Sequence, residues 1–161
     1  MVAKLLHSRL CLLLLLGLLG IVPLLQAVPP GLTKYQWFTI QHINTGNIQC
    51  NIAMQGVNNY TGKCKEFNTF LNTTSANAAT VCGTQNVTCR NQMHHNCHNS
   101  LVRVPLTDCD LTRNASYYEN CIYSERRATK YYRIACDPRS PQDNVTFPVV
   151  PVHLDETFTL F

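Results

Sequence analysis

Three stretches of this chain hold the residue types that metal-free acid–base chemistry on a phosphodiester requires: Gln41-His42-Ile43-Asn44, the run CKEFNTF at Cys64–Phe70, and VVPVHLD at Val149–Asp155. The outer two each offer one histidine and the middle one offers Lys65. An imidazole titrates near neutrality, so of two histidines one can be neutral and take a proton while the other is charged and gives one. A lysine next to a disulfide-bonded cysteine has a pinned backbone, and its ammonium can be held where negative charge develops. By itself Lys65 reads as a solvated lysine in an amphipathic turn, since long charged side chains are mostly exposed. The two histidines change that reading. Asp155 stands two residues after His153, and on a strand such residues share a face, so its carboxylate is expected to accept a hydrogen bond from the imidazole and fix its tautomer.

Rival chemistries are weaker. Cys89 and Cys97 enclose RNQMHHN and precede His98, which offers two cysteines and three histidines to a metal, but zinc sites of this kind usually show two paired ligand clusters. A secreted chain more simply makes cystines, leaving His94, His95 and His98 on a small disulfide loop. No odd mature cysteine remains to act as a nucleophile, and no G-x-S-x-G motif supports a serine triad. The expected chemistry uses no cofactor and no metal.

The elements that must position these residues follow from periodicity. In LTKYQWFTIQHI, residues 32–43, Phe38 and His42 are four apart and share a helix face, so the aromatic can bury while anchoring the histidine. Cys50, Ala53, Met54 and Val57 mark a second helix over Cys50–Tyr60, ended by Gly62. A third is expected at Thr74–Val81. From Cys82 onward, segments at Leu101–Leu106, Asn120–Tyr123, Tyr131–Cys136 and Val149–Leu154 read as antiparallel strands, with Asp137–Pro148 a polar return loop. Three helices and a strand-rich remainder predict one α+β domain.

A basic flank with Lys4 and Arg9, an apolar run over Leu10–Leu25 and the small residue Ala27 read as a signal peptide, residues 1–27, leaving a single domain at 28–161. Cys11 leaves with it, so the nine cysteines become eight, an even number for an oxidising compartment. Loss of Lys4 and Arg9 lowers the net charge from +4 to +2, a thin basis for membrane disruption. Sequons at Asn59, Asn72, Asn86, Asn114 and Asn144 predict a glycoprotein.

With QHIN at 41–44, CKEFNTF, the cysteine order and PVHLD at 151–155 in view, the whole mature chain resembles the pancreatic ribonuclease A superfamily. YQWFTIQHI, NNYTGKCKEFNTFL, the Cys89–Cys97 spacing and FPVVPVHLD resemble its eosinophil ribonucleases, and the Cys89–Cys97 pair argues against an angiogenin. The resemblance implies a fold of three helices on a strongly bent antiparallel sheet, with disulfides Cys50–Cys109, Cys64–Cys121, Cys82–Cys136 and Cys89–Cys97. It implies that His42, Lys65 and His153 are catalytic, with Asp155 orienting His153, Gln41 touching phosphate, Thr69 reading a pyrimidine, Asn68 supporting the site and Asp108 tuning Thr69. Leu154, counted with the substrate-binding residues, stands where pancreatic enzymes carry phenylalanine, and residues 156–161 form a longer apolar tail. A monomer acting on single-stranded RNA is implied, with ribonuclease inhibitor as a further partner, no stable membrane insertion, and secretion after granule storage. The rival class is a non-catalytic cationic antimicrobial or polyanion-binding protein. The corresponding family turn also implies a cis Phe147–Pro148 bond.

Overall fold

The computed structural model describes residues 27–160, so the basic flank and apolar run of the expected signal peptide lie outside the described residues. Helix α1, Lys34–His42, begins with a reciprocal cap: the Thr33 hydroxyl accepts from the Gln36 N–H at 3.1 Å, and the Gln36 side chain accepts from the Thr33 N–H at 2.8 Å. It ends where Ile43 turns extended and bridges to Leu71. Helix α2, Cys50–Thr61, buries Cys50, Met54 and Val57 and stops at Gly62, whose φ of +72° is the left-handed region that glycine enters without penalty. Strand β1, Phe67–Leu71, precedes helix α3, Ser75–Val81, which Thr74 caps. The remaining strands are β2 (Asn86–Val87), β3 (Cys97–Asn99), β4 (Val104–Arg113), β5 (Ile122–Pro138) and β6 (Val149–Phe158).

All strand pairs are antiparallel, in the order β1-β4-β5-β3-β2, with β6 also on β5. Strand β5 holds the sheet together, because Ile122–Lys130 pair with β4 while Tyr131–Pro138 pair with β6. The two strands expected at Asn120–Tyr123 and Tyr131–Cys136 are therefore one. Their connection, Ser124–Lys130, is polar and mostly exposed, so pairing to β4 rather than an apolar pattern makes it a strand. The strand expected at Leu101–Leu106 begins only at Val104, and Leu101 and Val102 stay exposed.

Disulfides Cys50–Cys109, Cys64–Cys121 and Cys82–Cys136 tie α2 to β4, the approach to β1 to the start of β5, and the end of α3 to β5. Cys89–Cys97 closes the short loop before β3. One core cluster gathers Trp37, Met54, Val57, Phe70 and Tyr123, and a second gathers Phe38, Leu71, Leu106, Tyr132 and Ile134. Helix α1 contributes Trp37 to the first and Phe38 to the second, so it is wedged between them with Gln41 and His42 at its end.

The expected cis bond is corrected: among the described residues every peptide bond is trans, Phe147–Pro148 included. Trans is the intrinsically preferred form, and the loop is held in it by Arg139, whose N–H donates to the Pro148 carbonyl at 3.0 Å and whose guanidinium donates to that of Val145 at 2.9 Å.

Candidate active site

Helix α1 and strand β1 meet edge to end, and their contact orients the first histidine. His42 Nδ1 lies 2.9 Å from the Thr69 carbonyl oxygen, which can only accept, so Nδ1 carries the proton and Nε2 is left as the ring's acceptor. The ring is tilted against Phe38 at 5.4 Å between centroids. Burial pushes the His42 pKa down to about 3, with help from the nearby Lys65 and His153 charges and against the pull of the Thr69 hydrogen bond. Near neutral pH this imidazole is uncharged.

Lys65 is held at both ends. Its Nζ donates to Gln41 Oε1 and to Asn68 Oδ1, each at 2.8 Å, and Asn68 in turn donates to the Gln41 carbonyl at 2.8 Å. Its backbone is fixed by the neighbouring Cys64–Cys121 bond and by a buried network: the Lys65 N–H donates to Asn58 Oδ1 at 3.0 Å, the Tyr123 hydroxyl donates to the Lys65 carbonyl at 2.7 Å, and the Asn58 amide donates to that hydroxyl's oxygen at 2.9 Å. Burial lowers the lysine's pKa to about 8. Sequence reasoning missed Asn58 and Tyr123. The signal was there for Asn58, which lies four residues after Met54 on the buried stripe of α2 and is 0% exposed.

Thr69 serves two neighbours. Its carbonyl faces His42 rather than β4, and along a strand a residue's N–H and C=O point the same way, so its N–H also faces the open edge of β1. Its hydroxyl donates to Asp108 Oδ1 at 2.6 Å. Both groups are thus available to the edge of a planar ring. Arg126 stands beyond, 3.7 Å from Asp108 Oδ2 and 3.5 Å from Asp110 Oδ2.

His153 arrives on β6, which packs on α1. It is exposed to solvent on one side, and partial desolvation of the ring by its neighbours, together with the Lys65 and His94 charges, lowers its pKa while Asp155 raises it. Asp155 does not hydrogen-bond the imidazole as expected from strand alternation. The register slips so that Arg133 faces Glu156 and Ile134 faces Leu154, which makes Asp155 an extra, bulged residue and breaks the two-residue period. Asp155 instead accepts from the Arg90 N–H at 2.9 Å and lies 3.9 Å from the Arg133 guanidinium, so its effect on His153 is through charge alone. Leu154 packs against the second core cluster.

The Cys89–Cys97 loop offers no metal site of the kind considered from sequence. Sγ of both cysteines and an Asp155 oxygen lie close together, but the sulfurs share a disulfide and supply no thiolate. His98 Nδ1 is 2.8 Å from the Thr84 carbonyl oxygen and His95 Nδ1 is 3.3 Å from the Thr88 hydroxyl.

The Lys65 and His153 charges lower the His42 pKa and the Lys65 charge lowers that of His153, as like charges would, and groups so arranged are relieved by an anion between them. Fold and site together are those of a ribonuclease A-like protein. The chain belongs to the pancreatic ribonuclease family, whose model matches residues 33–155. It is 52% identical over 157 residues to eosinophil cationic protein 2 of the mouse, covering 96% of this chain and 98% of that protein. It is 51% identical over 156 residues to eosinophil cationic protein of the rat, with the same two coverages. The resemblance seen in the motifs thus extends along nearly the full chain.

Proposed function

We propose that this protein is a secreted, pyrimidine-preferring endoribonuclease that cleaves single-stranded RNA, with residues 1–27 as its signal peptide and 28–161 as its mature domain. The observation that carries the reading is the pairing of a buried, neutral His42 with an ammonium held by Gln41 and Asn68. His42 Nε2 takes the ribose 2′-OH proton as O2′ attacks phosphorus; the P–O5′ bond breaks, and His153, protonated, gives its proton to the leaving oxygen. Lys65 stabilises the charge on the crowded phosphorane. The product is a 2′,3′-cyclic phosphate, and water then opens it with the histidine roles reversed. DNA lacks the 2′-OH and does not react. Gln41 and Asn68 hold the lysine in place, Asp155 acts on His153 through its charge, and Thr69 and Asp108 face the base.

The biological role that fits is catalysis-dependent host defence. A non-catalytic cationic role is the rival, since the two relatives are named cationic proteins. Against it, the net charge of residues 28–161 is only +2, and part of the positive charge is paired: Lys34 with Asp137, Arg127 with Glu125, and Arg133 with Asp155 and Glu156. No helix among the described residues is long and apolar enough to cross a membrane. Asn59, Asn86, Asn114 and Asn144 are exposed for glycosylation, whereas Asn72 is half-buried and its Oδ1 accepts from the Gly46 N–H at 3.2 Å.

Wild type and His42→Ala should be compared on defined oligonucleotides, in EDTA, and on bacteria or enveloped virus in parallel. Metal-independent cleavage after pyrimidines, with loss of both cleavage and killing in the variant, is expected. Equal killing by the variant would move the function to the cationic class.

A further inference from the structure

Thr69, Asp108 and Arg126 form one cross-strand row: Thr69 on β1 lies opposite Asp108 on β4, which lies opposite Arg126 on β5. Directly opposed residues present their side chains on one face, and the contacts follow that order. Asp108 uses one oxygen for the Thr69 hydroxyl, at 2.6 Å, and turns the other toward Arg126, at 3.7 Å. Its side chain is 9% exposed and that of Arg126 is 69% exposed.

We propose that Arg126 is a specificity-determining residue: by sharing the charge of Asp108 it frees the Thr69 hydroxyl to change partners, and so lets the site take cytosine as well as uracil. The inference rests on the endoribonuclease reading and deepens it. Uracil presents a donor at N3 and cytosine an acceptor. With uracil, Thr69 keeps its proton on Asp108 and accepts the base N–H on its own oxygen. With cytosine, the hydroxyl proton must swing to the base N3, which leaves Asp108 Oδ1 facing Thr69 lone pairs at short range. A buried carboxylate stripped of its hydroxyl donor is costly. Thr69 is the one side-chain hydrogen-bond donor to that carboxylate among the described residues. Arg126 is the remaining partner and offsets part of the loss. Asp110 competes for the same guanidinium at 3.5 Å, and the arginine is largely in water, so the effect is modest.

The test uses the full mature chain and the dinucleotides UpA and CpA, with kcat/KM measured for wild type, Arg126→Ala, Arg126→Lys and Asp108→Asn, and for Arg126→Ala combined with Asp108→Asn. Arg126→Ala should lower CpA cleavage relative to UpA by about 1.5- to fivefold, the range of a largely exposed ion pair, and Arg126→Lys should restore the ratio. Combined with Asp108→Asn, which removes the charge Arg126 shares, Arg126→Ala should leave the ratio of the single Asp108→Asn protein unchanged. A constant ratio, an equal fall on both dinucleotides, or a shift that persists without the Asp108 charge would overturn the proposal. A wild type that cleaves neither dinucleotide overturns the endoribonuclease reading itself, and this inference with it.

Discussion

The two histidines occupy opposite kinds of neighbourhood. His42 sits at the end of a capped helix wedged between two core clusters, 9% exposed, with one ring nitrogen committed to a strand carbonyl. His153 sits on β6 between two bulged positions, Val152 and Asp155, is exposed, and is influenced by its carboxylate neighbour only through charge. The difference matches what a base and an acid need. A general base must be neutral and aimed before substrate arrives, which burial and a fixed tautomer provide. A general acid must reload its proton from solvent between turnovers, which exposure provides.

The largest expected effect breaks the pair itself. Replacing either histidine by alanine should lower kcat/KM on UpA by about 10²–10⁴-fold. The two losses should then separate on a uridine 3′-aryl phosphate, whose leaving group needs no proton: His153→Ala should recover most of the rate and His42→Ala should not. Equal loss of both on the aryl ester would mean that the acid and base roles are not divided in this way.

Lys65→Ala comes next, at about 10²–10³-fold in kcat. Asn58→Ala and Tyr123→Phe touch no substrate, yet each should reduce kcat more than it raises KM, by about tenfold, because a buried partner left unsatisfied costs about 1–3 kcal/mol and loosens the lysine's backbone. Urea melts measured alongside should show lower stability for both. A kcat unchanged in both variants would show that the Cys64–Cys121 bond alone holds Lys65.

Smaller still are the pH effects. Both histidines have folded pKa values below the ordinary 6.5, so the acid limb of the kcat/KM profile, set by His42, should fall well below pH 6. Stability has a definite sign as well. Below about pH 6.5 the unfolded chain protonates these rings while the folded chain does not, so the unfolded state binds more protons and stability declines as pH falls toward about 3. His42→Gln should flatten that decline. Asp155→Asn removes the charge that raises the His153 pKa, so the basic limb should move to lower pH, with a change of only a few-fold at the optimum. A shifted acid limb instead would assign the two limbs the other way round.

The sequence by itself determined the local pieces. The Phe38–His42 spacing placed both on one helix face because a helix repeats every 3.6 residues, and the Cys50, Met54, Val57 stripe marked α2 for the same reason. The motifs at 41–44, 64–70 and 151–155 named the residues that converge, because a family resemblance carries long-range information that periodicity lacks. Tertiary structure alone decided three things. It made Ser124–Lys130 part of a 17-residue strand, since a polar, exposed segment becomes a strand only when a neighbour supplies its hydrogen bonds. It turned Asp155 from the imidazole to Arg90, because a bulge is a mismatch between two strands and neither strand encodes it alone. It also brought Asn58, Tyr123 and Arg126 to the site, since pairing across β1, β4 and β5 joins residues whose distance along the chain hides their contact.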